Sequence, residues 1–216
     1  MNLIAIETAT ELCSVALLHQ QQVTEHSLLA PRKHAELVLG YLDELLAAQD
    51  LKKSDIEGIV FGQGPGAFTG VRIAMSVVQG LALALDVPVM AVSTLHNMAQ
   101  QLLISKPSQS QRILVANDAR MNEVYWATFE ISNGQLVRLS EDRLSAPEDI
   151  STAGFDVCTG SAFQAMLQAP EGSQVLADSH PTAGTLLHLA EHVFNDQAQD
   201  IMHLQPSYIR EKVVFS

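Results

Sequence analysis

The sequence predicts an α/β protein of two lobes, and three patterns carry the prediction. Short apolar runs separated by tight turns open the chain, helix-period and strand-period segments then alternate, and after a polar stretch the same pattern begins again. "LIAIETA" (3–9), "CSVALLH" (13–19) and "QVTEHSLL" (22–29) alternate as strands do and form a β-meander. "KHAELVLGYLDELLAAQ" repeats apolar residues at helical spacing through Leu37, Val38, Tyr41, Leu42, Leu45 and Leu46. "IEGIVFG" (56–62) is a strand, a second helix covers about 70–85, "VPVMAVS" is a strand, and a third helix starts near Thr94. The order is βββαβαβα.

"SKPSQSQ" (105–111) has the composition of a linker, which sets the expected lobes at 1–105 and 106–216. Beyond it "RILVANDA" (112–119), "EVYWATFEI" (123–131) and "QLVRLSEDRL" (135–144) read as three more strands. Short α and β elements follow, including "FDVCTGS" and "QVLAD", and then a terminal helix over 182–197. In both halves the first strand ends in an acid, Glu7 and Asp118, before a polar turn. Parallel strands joined by helices after a meander, occurring twice, imply a cleft between two lobes. The last residues, "YIREKVVF", are left either to pack back on the first lobe or to reach a partner.

With 47% apolar and 17% charged residues the chain has a real core. A net charge of -12 argues against a free-standing nucleic-acid binder, because neutralising phosphates needs clustered Lys and Arg. Cys13 and Cys158 sit in apolar strand-like runs, which suits reduced core thiols, although spacing alone leaves a bridge open. The N-terminus lacks a basic n-region, and the longest apolar segment, Val71 to Leu85, is interrupted by Ser76, Gln79 and Gly80. These features read as a soluble cytoplasmic protein.

"GQGPGAFTGVRIAMSVVQGLALAL" (62–85) raises a choice between a phosphate cradle and a helix built for burial. The glycine spacing fails the dinucleotide fingerprint from either start, and Gly70 is followed by Val71 where a Walker loop needs Lys. What remains is a tight strand-to-helix turn, with Thr69 placed to cap the helix and the helix-start N–H groups as an anion seat. The helix itself is apolar nearly all round, so more than its sheet-facing side calls for cover. Ser76, Gly80 and Ala84 form a row of small residues at i, i+4, i+8 that admits a close neighbour. Leu39 and Leu46 likewise lie off the main stripe of the first helix. The two helices either bury one another or together face another subunit, and the two readings are compatible.

"GPGAFTGVRIAMSVVQGLALALDVPVMAVSTL", "LIAIETATELCSVALL" and "NDARMNEVYWATF" closely resemble the TsaB (YeaZ) family, bacterial partner proteins in tRNA threonylcarbamoyladenosine synthesis. The likeness is strong from Leu3 to Phe129 and resumes in "LQPSYIR". It implies an actin-like ATPase (ribonuclease H-like) fold of two lobes. It also implies a heterodimer with the paralogue TsaD through the first two helices, self-pairing through the same surface, and TsaE joining the complex. The expected interface residues are Leu37, Val38, Tyr41, Leu42, Leu45, Val71, Met75, Val78, Gly80 and Leu81.

In that family TsaD binds a metal through His-x-x-x-His just after the strand that here reads "VPVMAVS", and the matching positions are Thr94 and Met98. Neither replaces an imidazole, and His96 has Gln100 at i+4, so no metal and no catalytic residue is expected. "HLAEH" (188–192) matches the inverted zincin pattern, but five residues are a weak signal, and polar residues on an exposed helix face account for His188, Glu191 and His192. Glu7, Thr8 and Asp118 stand where actin-like ATPases hold nucleotide. The loops "TATELCS" and "RMNEV" contain no glycine to let backbone approach phosphate, so weak nucleotide binding or none is expected, with no cofactor required. Arg120 reads as a local partner of Asp118. Neither a G-x-S-x-G elbow nor a P-loop lysine occurs, which removes a protease reading. The resemblance therefore implies a non-catalytic subunit that helps TsaD transfer threonylcarbamoyl from its adenylate to N6 of adenosine 37 in tRNA, which the partner mainly contacts. The alternative is an actin-fold ATP-dependent small-molecule kinase or hydrolase using Glu7 and Asp118.

Overall fold

The computed structural model describes residues 1–105, 110–191 and 193–203. They fall into two compact units: Met1–Asn97 with the stretch beginning at Pro181, and Met98–His180.

The first unit is built on β1 (Leu3–Glu7), β2 (Leu12–His19), β3 (Gln22–Leu29), β4 (Gly58–Gly62) and β5 (Val89–Val92), in the order β3-β2-β1-β4-β5. The meander strands pair antiparallel, closed by a two-residue turn at Gln20 and Gln21 with φ of 49° and 63°. β1, β4 and β5 run parallel. Strands β1 and β4 are buried on both faces, so the sheet needs a layer on each side. On one face Ile4, Ile6, Val15, Leu17, Ile59 and Phe61 pack against α1 (His34–Ala47) and α2 (Phe68–Leu85). On the other, Leu3, Ala5, Ala16, Leu18 and Val60 meet α4 (Ala183–Ala190) and Phe194.

That second layer corrects the expected boundary. The segment read as a terminal helix of the second lobe belongs to the first unit, as α4 and the short α5 (Phe194–Gln197). Its cause is local. The α4 backbone N–H of Ala183 donates to Ser14 Oγ at 2.7 Å and that of Gly184 to Glu25 Oε2 at 3.1 Å, so a carboxylate sits at the positive end of the helix. Gln199 then pairs with the edge strand at Val89. The segment "YIREKVVF" and the linker residues 106–109 lie outside the described residues.

The second unit repeats the strand order with other covering. β6 (Gln111–Asp118), β7 (Val124–Ser132), β8 (Gln135–Arg138), β10 (Val157–Thr159) and β11 (Gln174–Leu176) lie in the order β11-β10-β6-β7-β8. β9 (Arg143–Ser145) pairs with β7 beside them. Strand for strand this is the first sheet again, antiparallel on one side of β6 and parallel on the other. The single strand expected over 135–144 is two, because Ser140 and the Arg138–Asp142 ion pair turn the chain. The two helical slots hold 3₁₀ turns at Pro147–Asp149 and Ser161–Gln164, so βββαβαβα describes the first half and only the strands of the second. α3 (Thr94–Ser105) spans the division between units.

Candidate functional site

The sequence-predicted interface residues divide by which way α1 and α2 turn. Val38, Leu42, Leu45, Met75 and Val78 are buried in the first unit's core, where no other protein can reach them. Leu37, Tyr41, Val71 and Leu81 are half-buried at the margin, and Gly80 is exposed with nothing within 4 Å of a Cβ placed on it. A helix apolar all round gives no hint of which stripe its own sheet takes, and here the sheet takes the longest one. The outward face consists instead of Leu39, Phe68 and Leu83, which are 47%, 45% and 62% exposed, with half-buried Ile73 and Val77. Its sequence signals were Leu39 and the row Ser76, Gly80, Ala84, all of which point outward.

A concavity of about 400 Å³ on this face is lined by Ala35, Phe68, Thr69, Arg72, Ile73, Ser76 and Val77. The Arg72 guanidinium stacks over the Phe68 ring, 3.5 Å from its centroid. Along the α1 edge, His26 of β3 stacks on Tyr41 with ring centroids 5.5 Å apart and lies 3.8 Å from Glu44.

The glycines ahead of α2 serve close approach. A Cβ at Gly66 would overlap the Ala9 carbonyl, and one at Gly70 the Thr8 carbonyl. The Ala67 N–H donates to Ala9 O at 2.7 Å and Thr8 Oγ1 to Gly70 O at 2.7 Å. The β1–β2 turn therefore takes up the Ala67 N–H at the start of α2. Thr69 does not cap the helix: the N-cap is Ala67, without a side-chain cap, and Thr69 lies in the first turn.

Glu7 is fully buried inside the first unit. Its Oε1 accepts from the Ala9 N–H at 2.9 Å and its Oε2 from Asn97 Nδ2 at 3.1 Å, while a Cβ on Gly62 would overlap the carboxylate. Asn97 Nδ2 also donates to Thr182 O at 3.0 Å. Burial lifts the Glu7 pKa to about 7, against the opposing pull of the hydrogen bonds from Ala9, Asn97 and Thr8. Thr8 is buried as well.

In the second unit Asp118 accepts from the Arg120 N–H at 2.6 Å and pairs with Arg120 Nη1 at 3.0 Å, a local ion pair. Thr94 is buried, with Oγ1 unpartnered among the described residues, and the Met98 sulfur accepts from Asn117 Nδ2 at 3.1 Å. His96 is half-buried on α3. His188 is exposed at the end of α4, and His192 lies outside the described residues. Among the described residues, no three His, Cys, Asp or Glu side chains gather as metal ligands would. Cys13 and Cys158 are both buried free thiols, and burial pushes Cys13 up to about 11.

Strand order, the meander and the parallel half define an α/β protein of the actin-like, ribonuclease H-like class. The family model described as "TsaD: tRNA N6-adenosine threonylcarbamoyltransferase" matches residues 20–201. A tRNA threonylcarbamoyladenosine biosynthesis protein TsaB of Escherichia coli (strain K12) is 35% identical over the whole chain and 97% of its own length. The TsaB of Haemophilus influenzae is 33% identical over the whole chain and 96% of its length. Among solved structures, YeaZ from Pseudomonas aeruginosa superposes with a TM-score of 0.85 at 36% identity, over 96% of this chain and 99% of that one. A second Pseudomonas aeruginosa structure, described as similar to peptidase YEAZ, gives 0.87 at 37% identity over 97% and 99%. The chain belongs to the TsaB (YeaZ) family of tRNA threonylcarbamoyladenosine biosynthesis proteins.

Proposed function

We propose that this chain is a non-catalytic cytoplasmic subunit in formation of N6-threonylcarbamoyladenosine on tRNA, docking a TsaD-type transferase through the outer face of α1 and α2. One observation carries the reading. Gly40 and Gly80 stand inside α1 and α2, exposed, and a Cβ on either would touch nothing within 4 Å. Glycine inside a helix costs about 1 kcal/mol relative to alanine, and neither glycine relieves any crowding within the unit. A partner helix that approaches the backbone closely gives both a use. Around them Leu39, Phe68 and Leu83 supply apolar area on a helix pair whose other side is already packed.

By length and composition α2 is apolar enough to cross a bilayer. Ala74, Met75, Val78 and Ala82 are locked into the core beneath it, so a helix pair of another protein is the better occupant. Transfer of threonylcarbamoyl from the adenylate to N6 of adenosine 37 then falls to the transferase, while this chain binds and orders it. TsaE joins the assembly, and a second copy of this chain competes for the same face. The net charge of -12 leaves the tRNA mainly to the partner. The engagement of Glu7 within its own turn argues against the ATP-dependent kinase or hydrolase alternative.

Gly80→Arg tests the reading because Gly80 is exposed and a Cβ placed there meets nothing within 4 Å. The variant is expected to keep its circular dichroism and melting temperature and to lose co-purification with the transferase. Undiminished co-purification overturns the proposal.

A further inference from the structure

The docking face begins at the first turn of α2, and that turn rests on main chain that Glu7 holds. The connection is continuous. Asn97 Nδ2 donates to Glu7 Oε2, Glu7 Oε1 accepts from the Ala9 N–H, and the Ala9 carbonyl accepts from the N–H of Ala67, the N-cap of α2. Beside it Thr8 Oγ1 donates to the carbonyl of Gly70 within the first turn. Phe68, Thr69 and Arg72, which line one end of the concavity, belong to the same stretch of helix. Gly62, Gly66 and Gly70 remove the three side chains that would hold the carboxylate and the Thr8–Ala9 turn away from α2.

We propose that Glu7 is a positioning residue for the docking face, which in its neutral form seats the Thr8–Ala9 turn under α2 and on ionising loosens that seat and weakens the partner. The inference rests on the docking role proposed above. Among the described residues Glu7 has no cationic partner to offset its charge. Its surroundings are Ser14, opposite it on β2, Gly62 on β4, Asn97 on α3, and Thr8 and Ala9 of its own turn. Ser14 is bonded to Glu25 of β3 at 2.8 Å, so Glu25 is the titratable group one side chain removed. His188 of α4, which covers this side of the sheet, is exposed. Asn97 Oδ1 is buried and has no donor among the described residues. The pKa of about 7 puts the change within the physiological range. A charge created there without a counter-ion calls for water, and the turn must open to admit it.

The test measures affinity for the TsaD-type transferase of the same organism, by titration calorimetry from pH 6 to pH 8.5, with the full-length protein and Glu7→Gln, Thr8→Val and Glu25→Gln. The wild type is expected to weaken about tenfold across the range, a coupling typical of linked sites. Glu7→Gln is expected to flatten the profile and Glu25→Gln to keep the wild-type slope. Thr8→Val, which loses the bond to Gly70, is expected to bind several-fold more weakly at every pH with its fold intact by circular dichroism. A flat wild-type profile, an unchanged slope in Glu7→Gln, or full affinity in Thr8→Val overturns the inference while leaving the docking role standing. Absence of a complex at every pH contradicts the docking role itself.

Discussion

The two units carry the same five-strand order, yet the first sheet has the long helices α1 and α2 on one face, whereas the parallel strands of the second are joined through 3₁₀ turns. In the first unit the covering helices have more apolar surface than their sheet can bury, and the excess faces outward at Leu39, Phe68 and Leu83. In the second unit the turns at Pro147–Asp149 and Ser161–Gln164 are too short to own an outer face. Ile150, Ala162 and Leu167 are used in closing the core over Leu114, Ala116 and Cys158. A shared strand order thus fixes a scaffold, and what the crossovers are made of decides which copy carries an exposed apolar helix face.

The strongest way to break this contrast is to place a charge under the helices. Val78→Asp puts a carboxylate at a fully buried core position of the first unit and is expected to unfold that unit outright, seen as loss of cooperative melting. Next in size is Leu186→Ala, which empties a buried site between α4 and the sheet and is expected to cost about 2–5 kcal/mol by urea denaturation.

Glu7 gives a comparable effect that depends on pH. Its folded-state pKa of about 7 lies above the 4.5 of an ordinary glutamate, so the folded state holds the proton more tightly. Its contribution is fully present below pH 4.5 and is lost as pH rises through 7, by on the order of 3 kcal/mol. The stability difference between wild type and Glu7→Gln, followed by denaturant melts at several pH values, should shift by that amount in favour of the Gln variant as pH rises. A constant difference contradicts the neutral, buried carboxyl. The smallest effects belong to the outer glycines. Gly40→Ala and Gly80→Ala are each expected to stabilise the isolated protein by up to about 1 kcal/mol. Destabilisation would show that the glycines serve the unit itself.

The first five strands and first two helices were legible because their apolar periods are regular and their boundaries carry turn residues. The second sheet's β8 and β9 merged in the sequence because both are short and pair with one long strand, β7. α4 was legible as a helix, but its stripe of Ala183, Leu186, Leu187 and Ala190 fits any apolar sheet face. Only the contacts of Ser14 and Glu25 with its N-terminus, between residues far apart in sequence, tell which sheet it joins. At the site, the small residues Ser76, Gly80 and Ala84 lie on the exposed face of α2, whereas all-round apolarity hides the inward stripe that holds Met75 and Val78 on α2 and Leu42 on α1. Glu7 looked like a ligand at a strand end. Its burial follows from Asn97 and Gly62 meeting it in space, which no local pattern announces.

The outer face of α1 and α2 is proposed to recognise the transferase, and exposed apolar residues of the second unit are not. Sedimentation velocity of equimolar mixtures tests it with Leu83→Lys and Val137→Lys, whose parent residues are 62% and 45% exposed. Leu83→Lys is expected to leave the two proteins sedimenting apart, while Val137→Lys forms the wild-type complex. Loss of the complex with Val137→Lys and its survival with Leu83→Lys would contradict the proposal.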